Sequence, residues 1–362
     1  MITKFSFTLA LPGAGKTYWI ERNINNLFNV AGYVAFLKLE YPSFDIREPE
    51  YRRLFLSQHS LLRFFTAVHG KPPIPLADNS YIVISADEIK PLIKGYDPLS
   101  PEDVHEESVQ LAKALVMAIA EIPKDILNIP VFMDGGGVNN HYTSDILTFV
   151  KERCPDCETT CYYFDTPVEV CVERISKRER KVPSSSIYEK NQKIVRCLYR
   201  YKDMVDNLVR IRYFTNKYIL LDMDGTICGY TKARFDEEGC ADFTTGELFL
   251  HLKPVKHVID YVKEHYDMEN VFIVTAVPNS IAWDEKNRWL DEHFPEISKD
   301  HRFFCGNKDY KHVFVKQLAS LMGWERNEFV LVDDYHPIIE KCRKMAINCI
   351  HPSNIESLFD TI

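Results

Sequence analysis

Short apolar runs alternate with longer helical segments along the first half of the chain. The runs are rich in β-branched and aromatic residues and are bounded by turns, which is typical of buried parallel strands. The predicted strands are residues 2–11, 81–85, 130–133 and 160–164, and the predicted helical segments begin at residue 17 and cover residues 100–121 and 187–211. Strands that alternate with helices predict a parallel α/β sheet.

The same pattern starts again after a short linker at residues 213–217. Apolar strands are predicted at residues 218–221, 271–275 and 329–332, and each one ends in polar residues. A chain of 362 residues is long enough for two hydrophobic cores. We therefore predict two α/β domains, each a parallel sheet flanked by helices, at residues 1–214 and 215–362. The arginine-rich residues 40–80 are interpreted as an insertion between the first two strands.

Composition narrows the class of protein. Hydrophobic residues make up 46% of the chain and charged residues 27%, with no apolar run long enough to cross a membrane. The ten cysteines are scattered, which favours free thiols in a reducing cytoplasm over a disulfide framework. The net charge of −8 comes from residue 215 onward, with 17 Lys and Arg against 25 Asp and Glu, so any polynucleotide must be held by local basic clusters.

A phosphate-binding loop follows the first predicted strand. Residues 10–17 read A-L-P-G-A-G-K-T, the Walker A pattern with alanine in place of its first glycine. Gly13 and Gly15 let backbone N–H groups turn inward around phosphates, Lys16 supplies a positive charge, and the Thr17 hydroxyl can bind Mg²⁺. The strand before the loop and the helix after it favour this interpretation over a glycine-rich turn alone.

Charged residues at later strand ends complete a set suited to phosphoryl transfer. Asp87, in S-A-D-E-I-K, can accept a proton from an attacking hydroxyl, although it can also cap a helix. Asp134 ends the next strand in M-D-G-G-G-V, where it can orient substrate or water. A basic cluster after the turn F-D-T-P can fold over the phosphates as a lid; it comprises Arg174, Lys177, Arg178, Arg180 and Lys181.

These motifs resemble those of phage-type polynucleotide 5′-kinases and, secondarily, of zeta-toxin-like kinases. The resemblance implies that the donor ATP and its Mg²⁺ are bound by Gly13, Ala14, Gly15, Lys16, Thr17 and Arg174. It further implies that Asp87 is the general base, that Arg178 is the catalytic lid arginine, and that Lys90 and Asp134 help to hold the substrate. The segment G-Y-D-P-L-S-P-E-D-V-H-E-E-S is closer to the zeta-like kinases, which phosphorylate a nucleotide sugar, so the acceptor stays open.

A pair of aspartates marks a second site. Residues 218–227 read Y-I-L-L-D-M-D-G-T-I, so that Asp222 and Asp224 point the same way from the end of a strand. Asp222 can attack phosphorus and form an aspartyl-phosphate, while Asp224 protonates the leaving oxygen and later activates water. Gly225 allows the sharp turn beside a metal ion.

Further polar groups follow at the ends of the later strands. Thr275 can hold a phosphoryl oxygen, and Lys308, in C-G-N-K-D, can neutralise the nucleophile and the phosphoryl group. We expect Mg²⁺ to be bound by Asp222, Asp224, Asp333 and Asp334.

The C-terminal half resembles the haloacid-dehalogenase-type phosphatases, and 5′(3′)-deoxyribonucleotidases in particular. The resemblance rests on T-A-V-P, K-N-R-W-L-D-E-H-F-P, C-G-N-K and L-V-D-D. It implies that Lys286 is a second phosphate-side lysine, that a small cap lies between residues 227 and 255, and that Arg234 reaches the substrate from it. A related K/R-W element occurs in the phosphatase half of phage-type polynucleotide kinase-phosphatases.

The two resemblances together imply a cytoplasmic, bifunctional end-healing enzyme, located in the host cytoplasm if phage-encoded. It would phosphorylate 5′-hydroxyl ends of RNA or DNA and remove 3′-phosphates, using ATP and Mg²⁺. No membrane partner is expected, and the sequence is compatible with a homo-oligomer. One alternative is a nucleoside or nucleotide-sugar kinase joined to a 5′(3′)-nucleotidase. Another is a binding or regulatory module with degenerate sites, against which the intact Lys16, Asp87, Asp222 and Asp224 count. Cys154, Cys157 and Cys161 are interpreted as free thiols rather than zinc ligands, and Trp283 and Trp289 as packing residues.

Overall fold

The computed structural model describes residues 2–71, 79–98, 100, 103–123, 125–138, 140–178, 182–229 and 248–358. The chain divides into two compact units, of which the first ends at Arg212 and the second begins at Tyr213. Each unit is a parallel β-sheet flanked by helices, as the sequence predicts. Arg234, Arg180 and Lys181 lie outside the described residues.

The sheet of the first unit has its phosphate-loop strand near the centre. Its strands are β1 (Lys4–Leu9), β2 (Asn25–Asn26), β3 (Ser80–Ser85), β4 (Val131–Asp134), β5 (Glu158–Phe164) and β6 (Asn207–Ile211). They pair in the order β2-β3-β4-β1-β5-β6, and all the pairs are parallel. Ser85 is the register partner of Asp134, so the polar residues that follow β3 and end β4 meet at one edge of the sheet.

Nine helices of the first unit are described. They are α1 (Lys16–Asn23), α2 (Val30–Glu40), α3 (Pro49–Phe55), α4 (Gln58–His69), α5 (Ala86–Ile89), α6 (His105–Ala120), α7 (Asn140–Arg153), α8 (Val168–Ser176) and α9 (Ser184–Met204). Alternate residues of β3 enter different clusters: Ile82 and Ile84 join the main core, whereas Tyr81 and Val83 pack with Ile20 of α1. Both faces of the sheet are therefore covered, as a parallel sheet requires.

Two features of the first unit differ from the sequence interpretation or extend it. The predicted helix over residues 187–211 stops at Met204, because N-L-V-R-I pairs with β5 as the edge strand β6. The described part of the insertion contains the helices α3 and α4, and Phe64 and Phe65 of α4 are buried in the main core. Arginines of this insertion pair with nearby carboxylates: Arg52 Nη2 lies 2.5 Å from Glu107 Oε1, and Arg63 pairs with Glu40.

The second unit has a five-stranded sheet. Its strands are β7 (Tyr218–Leu221), β8 (Val271–Ala276), β9 (Arg302–Cys305), β10 (Phe329–Val332) and β11 (Asn348–Ile350), in the order β11-β10-β7-β8-β9. Its helices are α10 (Lys256–His265), α11 (Ser280–His293), α12 (Lys311–Met322) and α13 (His336–Lys344). Ile219 and Leu221 of β7 enter one core cluster and Leu220 enters another, so this sheet also packs on both faces.

The two tryptophans of α11 have different environments. Trp289 is fully buried and its indole N–H donates to the Leu252 carbonyl at 2.7 Å, as expected of a packing residue. Trp283, in the first turn of α11, was predicted to pack as well, but 48% of it is exposed, with its ring beside Phe304. Nine cysteines in the described part of the chain are buried and free. No helix among the described residues is long and apolar enough to cross a membrane.

Candidate active sites

The phosphate loop of the first unit has a backbone that requires glycine. Gly13 and Gly15 have φ angles of +86° and +91°, which side chains rarely allow. A Cβ atom at Gly13 would lie 2.7 Å from the Cys171 carbonyl oxygen of α8. The Thr166 hydroxyl donates to the Ala14 carbonyl at 2.9 Å, which ties the loop to the residues before α8. The loop is thus fixed between β1 and α1, with Thr17 exposed on the first turn of α1.

Lys16 and Asp134 come together at this loop. The Lys16 amine forms an ion pair with the Asp134 carboxylate, and both side chains are mostly buried. Asp134 ends β4, the neighbour of β1 in the sheet, so strand order brings together two residues that are far apart in sequence. The carboxylate holds the lysine beside the loop.

Asp87 lies at the same edge of the sheet, where it pairs with Lys90. The Lys90 amine is 2.7 Å from Asp87 Oδ1; Lys90 is buried, whereas the Asp87 side chain is 67% exposed. Lys90, expected to hold a substrate phosphate, here contacts the expected general base. The neighbouring Glu88 has a raised pKa because of burial and, secondarily, the charge of Asp134. The contact fixes the orientation of the exposed Asp87 carboxylate at this edge, and the role of general base stays a prediction.

The two lid arginines differ in position. Arg174, on α8, donates from Nη1 to the Gly13 carbonyl at 3.2 Å and so lies against the phosphate loop. Arg178 follows the end of α8 and is exposed. The structure therefore brings Arg174 to the loop, and the catalytic role expected of Arg178 stays a prediction.

A carboxylate cluster lies at the carboxyl edge of the second sheet. Val332 and Leu221 are register partners in neighbouring parallel strands, so that Asp333 and Asp222, the residues after them, lie side by side. Each of Asp222, Asp333 and Asp334 offers an oxygen within 4.8 Å of the others, and no other group of three potential metal ligands of the Asp, Glu, His or Cys type was found in the described ranges. Clustered carboxylate oxygens are the ligands that Mg²⁺ prefers. These residues therefore fit Mg²⁺, which would offset their mutual repulsion.

The lysine in contact with this cluster is Lys311. Its amine lies 2.8 Å from Asp222 Oδ1 and 2.7 Å from Asp333 Oδ2, and all three side chains are buried. The expectation that Lys308 contacts Asp222 is corrected, because Asn307 begins a short 3₁₀ turn that leaves Lys308 exposed, its amine 4.8 Å from the centre of the Tyr335 ring. Lys311 begins α12, after that turn. The only sign of Lys311 in the sequence was that a second lysine follows Lys308 by three positions.

Mutual charge and burial shift the pKa values of this cluster. Burial, and then the charge of Asp222, raises the pKa of Asp333 to about 6, although Lys311 acts against the shift. Burial acts to lower the pKa of Lys311, but the two carboxylates outweigh it and raise the pKa above its usual value. The lysine thus stays charged where it can neutralise Asp222.

Asp224, Lys286 and Thr275 form a second group beside Asp222. The buried Lys286 amine lies 2.6 Å from Asp224 Oδ2, 2.9 Å from the Thr275 hydroxyl and 2.8 Å from the Ala276 carbonyl oxygen. Asp224 was also expected to bind metal, but its carboxylate is not part of the three-carboxylate group and contacts Lys286 instead. Burial raises the pKa of Asp224, against the effect of Lys286, which suits a carboxyl group that donates a proton.

Comparison with known proteins adds one family match, in the second unit. Residues 240–315 match the model of the family "5' nucleotidase, deoxy (Pyrimidine), cytosolic type C protein". Two "Putative 5'(3')-deoxyribonucleotidase" proteins of Staphylococcus aureus, strains Mu50 and MRSA252, are each 43% identical over 67 residues. That alignment covers 17% of this chain and 34% of each relative. The expected resemblance to 5′(3′)-deoxyribonucleotidases is confirmed for this segment.

Solved structures give weaker similarities. A chain in the structure of the Pnkp1/Rnl/Hen1 RNA repair complex is 16% identical, with 96% of this chain and 95% of that chain covered and a TM-score of 0.32. The N-terminal part of protein BF1531 from Bacteroides fragilis, containing a phosphatase domain complexed with Mg, is 12% identical over 98% of this chain and 92% of that chain, with a TM-score of 0.27.

Proposed function

We propose that this chain is a bifunctional end-healing enzyme, which phosphorylates 5′-hydroxyl ends of a polynucleotide and removes 3′-phosphates. One observation carries the proposal: a single chain contains both a phosphate loop with Lys16 paired to Asp134 and a carboxylate cluster with Lys311 on Asp222. The first arrangement is suited to transfer of the γ-phosphate of ATP and the second to hydrolysis of a phosphomonoester.

In the proposed phosphatase reaction, Asp222 attacks phosphorus through a carboxylate oxygen. The new O–P bond replaces the bond to the ribose oxygen, and Asp224 donates a proton to that leaving oxygen. Asp224 then removes a proton from water, which attacks the aspartyl-phosphate, releases phosphate and restores Asp222. Lys311 neutralises Asp222, while Lys286 and Thr275 would hold phosphoryl oxygens. Mg²⁺ at Asp222, Asp333 and Asp334 would neutralise charge on the phosphoryl group.

In the proposed kinase reaction, Asp87 accepts the proton of the 5′-hydroxyl as the hydroxyl oxygen attacks the γ-phosphorus. The bond from the γ-phosphorus to the β–γ bridging oxygen breaks at the same time, and ADP leaves with that oxygen. Lys16, the backbone of Gly13, Ala14 and Gly15, and Arg174 would bind the phosphates of ATP, with Thr17 as a ligand of its Mg²⁺. Lys90 orients Asp87 through its 2.7 Å contact. Arg178 is proposed to contact the transferred phosphoryl group.

A basic, exposed face of α9 supports a polynucleotide as acceptor. This helix has five basic residues, Lys190, Lys193, Arg196, Arg200 and Lys202, and two acidic ones, Glu189 and Asp203. Lys193 already pairs with Glu189 at 2.5 Å and is therefore less able to bind a strand. Arg196 and Arg200 are exposed, and Tyr199 between them is 72% exposed. Positive charge next to an exposed aromatic ring is the combination that binds single strands. A nucleotide-sized acceptor would not need this surface.

The second candidate function keeps both reactions on small substrates, with a nucleoside or nucleotide-sugar kinase joined to a 5′(3′)-nucleotidase. It is favoured by the match of residues 240–315 to deoxyribonucleotidases. The arginines of α3 and α4 that pair with Glu107 and Glu40 also fit it, because paired arginines are less able to bind a strand.

One incubation tests the proposal against this alternative. The substrate is an oligonucleotide with 5′-hydroxyl and 3′-phosphate ends, supplied with Mg²⁺ and γ-labelled ATP. End healing predicts label at the 5′ end that is lost in Lys16→Ala, and 3′-dephosphorylation that is lost in Asp222→Ala. If the oligonucleotide is unchanged while nucleoside monophosphates lose phosphate, the small-substrate function is correct and end healing is not.

A further inference from the structure

Trp283 is an exposed aromatic side chain that the proposed chemistry leaves unused. It lies in the first turn of α11 with 48% of its surface exposed, while Trp289 on the same helix is fully buried. Its ring meets Phe304 edge-on, with the centroids 5.8 Å apart and the planes at 60°. An edge contact leaves much of the indole face accessible to another ring.

Two relationships place this aromatic pair beside the phosphatase site. Trp283 precedes Lys286 by three positions, so the two side chains lie on the same side of the helix about one turn apart. Lys286 contacts Asp224 and the Thr275 hydroxyl. Phe304 in β9 is the register partner of Thr275 in β8. Both rings therefore adjoin the residues proposed to hold the phosphoryl group.

We infer that Trp283, supported by Phe304, forms a subsite on which the nucleobase of the phosphomonoester stacks. The inference rests on the proposed phosphatase function and specifies its substrate as a nucleotide unit. In a nucleotide, an aromatic base lies one sugar ring away from the phosphate, which matches an indole one helical turn from Lys286. A phosphorylated sugar or polyol has no ring to place there.

The charge of the second half of the chain supports stacking as the means of recognition. From residue 215 onward there are 17 basic and 25 acidic residues, so the net charge of this half does not favour contacts with a long phosphate backbone. Recognition of the terminal nucleotide through its base fits this charge better. Stacking on an aromatic ring is tolerant of sequence because every base has a π face. The subsite should accept all bases with similar affinity and reject esters without a base.

The test compares two substrates in matched variants of the full chain. Thymidine 3′-monophosphate carries a base, and the 3-phosphate of 1,2-dideoxyribose has the same sugar phosphate without one. Trp283→Ala should raise KM for the thymidine nucleotide about 5- to 150-fold, the range that base stacking supplies, with little change in kcat. Kinetics on the base-free phosphate should not change, and Trp283→Phe should restore most of the nucleotide affinity.

Leu321→Ala is the control, because Leu321 is 83% exposed on α12 and contributes no aromatic ring. Alanine is a better helix former than tryptophan, so α11 should persist in Trp283→Ala, and circular dichroism checks this. The inference is overturned if Trp283→Ala changes both substrates equally or neither one. A wild-type chain that hydrolyses neither ester overturns the phosphatase proposal itself, whereas one that hydrolyses both equally well overturns the stacking subsite alone.

Discussion

Lys311 and Asp222 form a buried ion pair at 2.8 Å, and Lys311 also lies 2.7 Å from Asp333. Asp222 and Asp333 follow two neighbouring strands, and a single ammonium group beside them leaves one negative charge uncompensated. The Tyr335 N–H donates to Asp333 Oδ1 at 2.9 Å, which stabilises this charge without cancelling it. Such a cluster is stable only if further charge or hydrogen bonding reaches it. The requirement points to a cation, and it links the stability of the unit to the proposed chemistry.

Lys311→Met should abolish most of the phosphatase activity and destabilise the second unit. Removing one member of a buried ion pair leaves the carboxylates unpaired, at a cost of about 3–5 kcal/mol. Loss of charge at the nucleophile should lower kcat by about 10²-fold or more. Steady-state hydrolysis of an aryl phosphate and calorimetric unfolding measure the two effects.

Lys308→Met is the matched control, since it makes the same chemical change at an exposed lysine of the same segment. It should retain activity within about threefold and unfolding within ±0.5 kcal/mol. Loss of hydrolysis in Lys308→Met, with Lys311→Met active, would contradict the assignment drawn from the contacts.

The main strands and the reactive residues at their ends could be predicted from sequence. Residues 218–221 and 329–332 are apolar runs between turns. In open parallel sheets, ligands bind at the carboxyl ends of such strands, so the polar residues that follow these runs could be assigned to the site. Lys311 could not be predicted, because the side chain that returns to Asp222 depends on the turn that Asn307 begins. The edge strands β2, β6, β9 and β11 were missed because they are short and partly polar. The exposure of Trp283 depends on which residues pack over α11, and the hydrophobic pattern of the sequence does not show this.

Mg²⁺ should stabilise the second unit against heat, because it would bind the native Asp222, Asp333 and Asp334 cluster and not the unfolded chain. At about 100 times its dissociation constant the ion adds about 2.7 kcal/mol, and a chelator should remove that increment. Asp334→Asn should raise the Mg²⁺ concentration needed for half of the shift. Glu264→Gln, at an exposed position of α10, should behave as wild type, and an identical Mg²⁺ response in both variants would exclude Asp334 as a ligand.

Lys90→Met should lower kinase activity with little loss of stability. Lys90 is buried, but its partner Asp87 is 67% exposed, so water can solvate the carboxylate once the amine is gone. Positioning effects of this kind cost about 10–100-fold in activity. Kinase activity is measured as phosphate transfer to an oligonucleotide, and stability by calorimetry. Unchanged phosphatase activity and an unchanged melting temperature would show that Lys90 positions Asp87 and is not needed for folding. A fall in melting temperature that accounts for the lost activity would argue against the positioning role.

Asp206 should make the first unit less stable in acid. Its pKa is lowered, first by the Thr159 hydroxyl, which donates to it at 2.7 Å, and then by the Thr159 backbone N–H at 2.8 Å. A lowered native pKa means that this stability is present above the unfolded pKa of about 3.9 and is lost as pH falls through the native value.

The expected measure is the difference in unfolding free energy between wild type and Asp206→Asn. It should be about 1 kcal/mol at pH 7, below the usual range for charged hydrogen bonds because Asp206 is half exposed, and it should shrink below pH 4. Asp203→Asn, an exposed aspartate on α9, serves as the control. A difference that grows on acidification would contradict the sign of the shift.

The exposed arginines of α9 offer the sharpest distinction between a polynucleotide and a small acceptor. Each phosphate contact of a single strand contributes about 0.7 to the salt dependence of log affinity. If the strand crosses α9, Arg196→Ala with Arg200→Ala should weaken oligonucleotide binding and reduce the salt slope by about 1.4. Phosphorylation of a nucleoside 3′-monophosphate should stay as in wild type, because no strand reaches α9 from that acceptor.

The matched double variant is Arg52→Ala with Arg63→Ala, which removes two arginines that already pair with Glu107 and Glu40. Because these guanidinium groups are neutralised within the chain, their loss should barely change the salt slope. If both double variants leave oligonucleotide binding unchanged, no strand crosses either surface, and the nucleotide-sized acceptor becomes the better account of the first unit. If only the α9 pair changes it, the strand path is located on the helix that follows the lid.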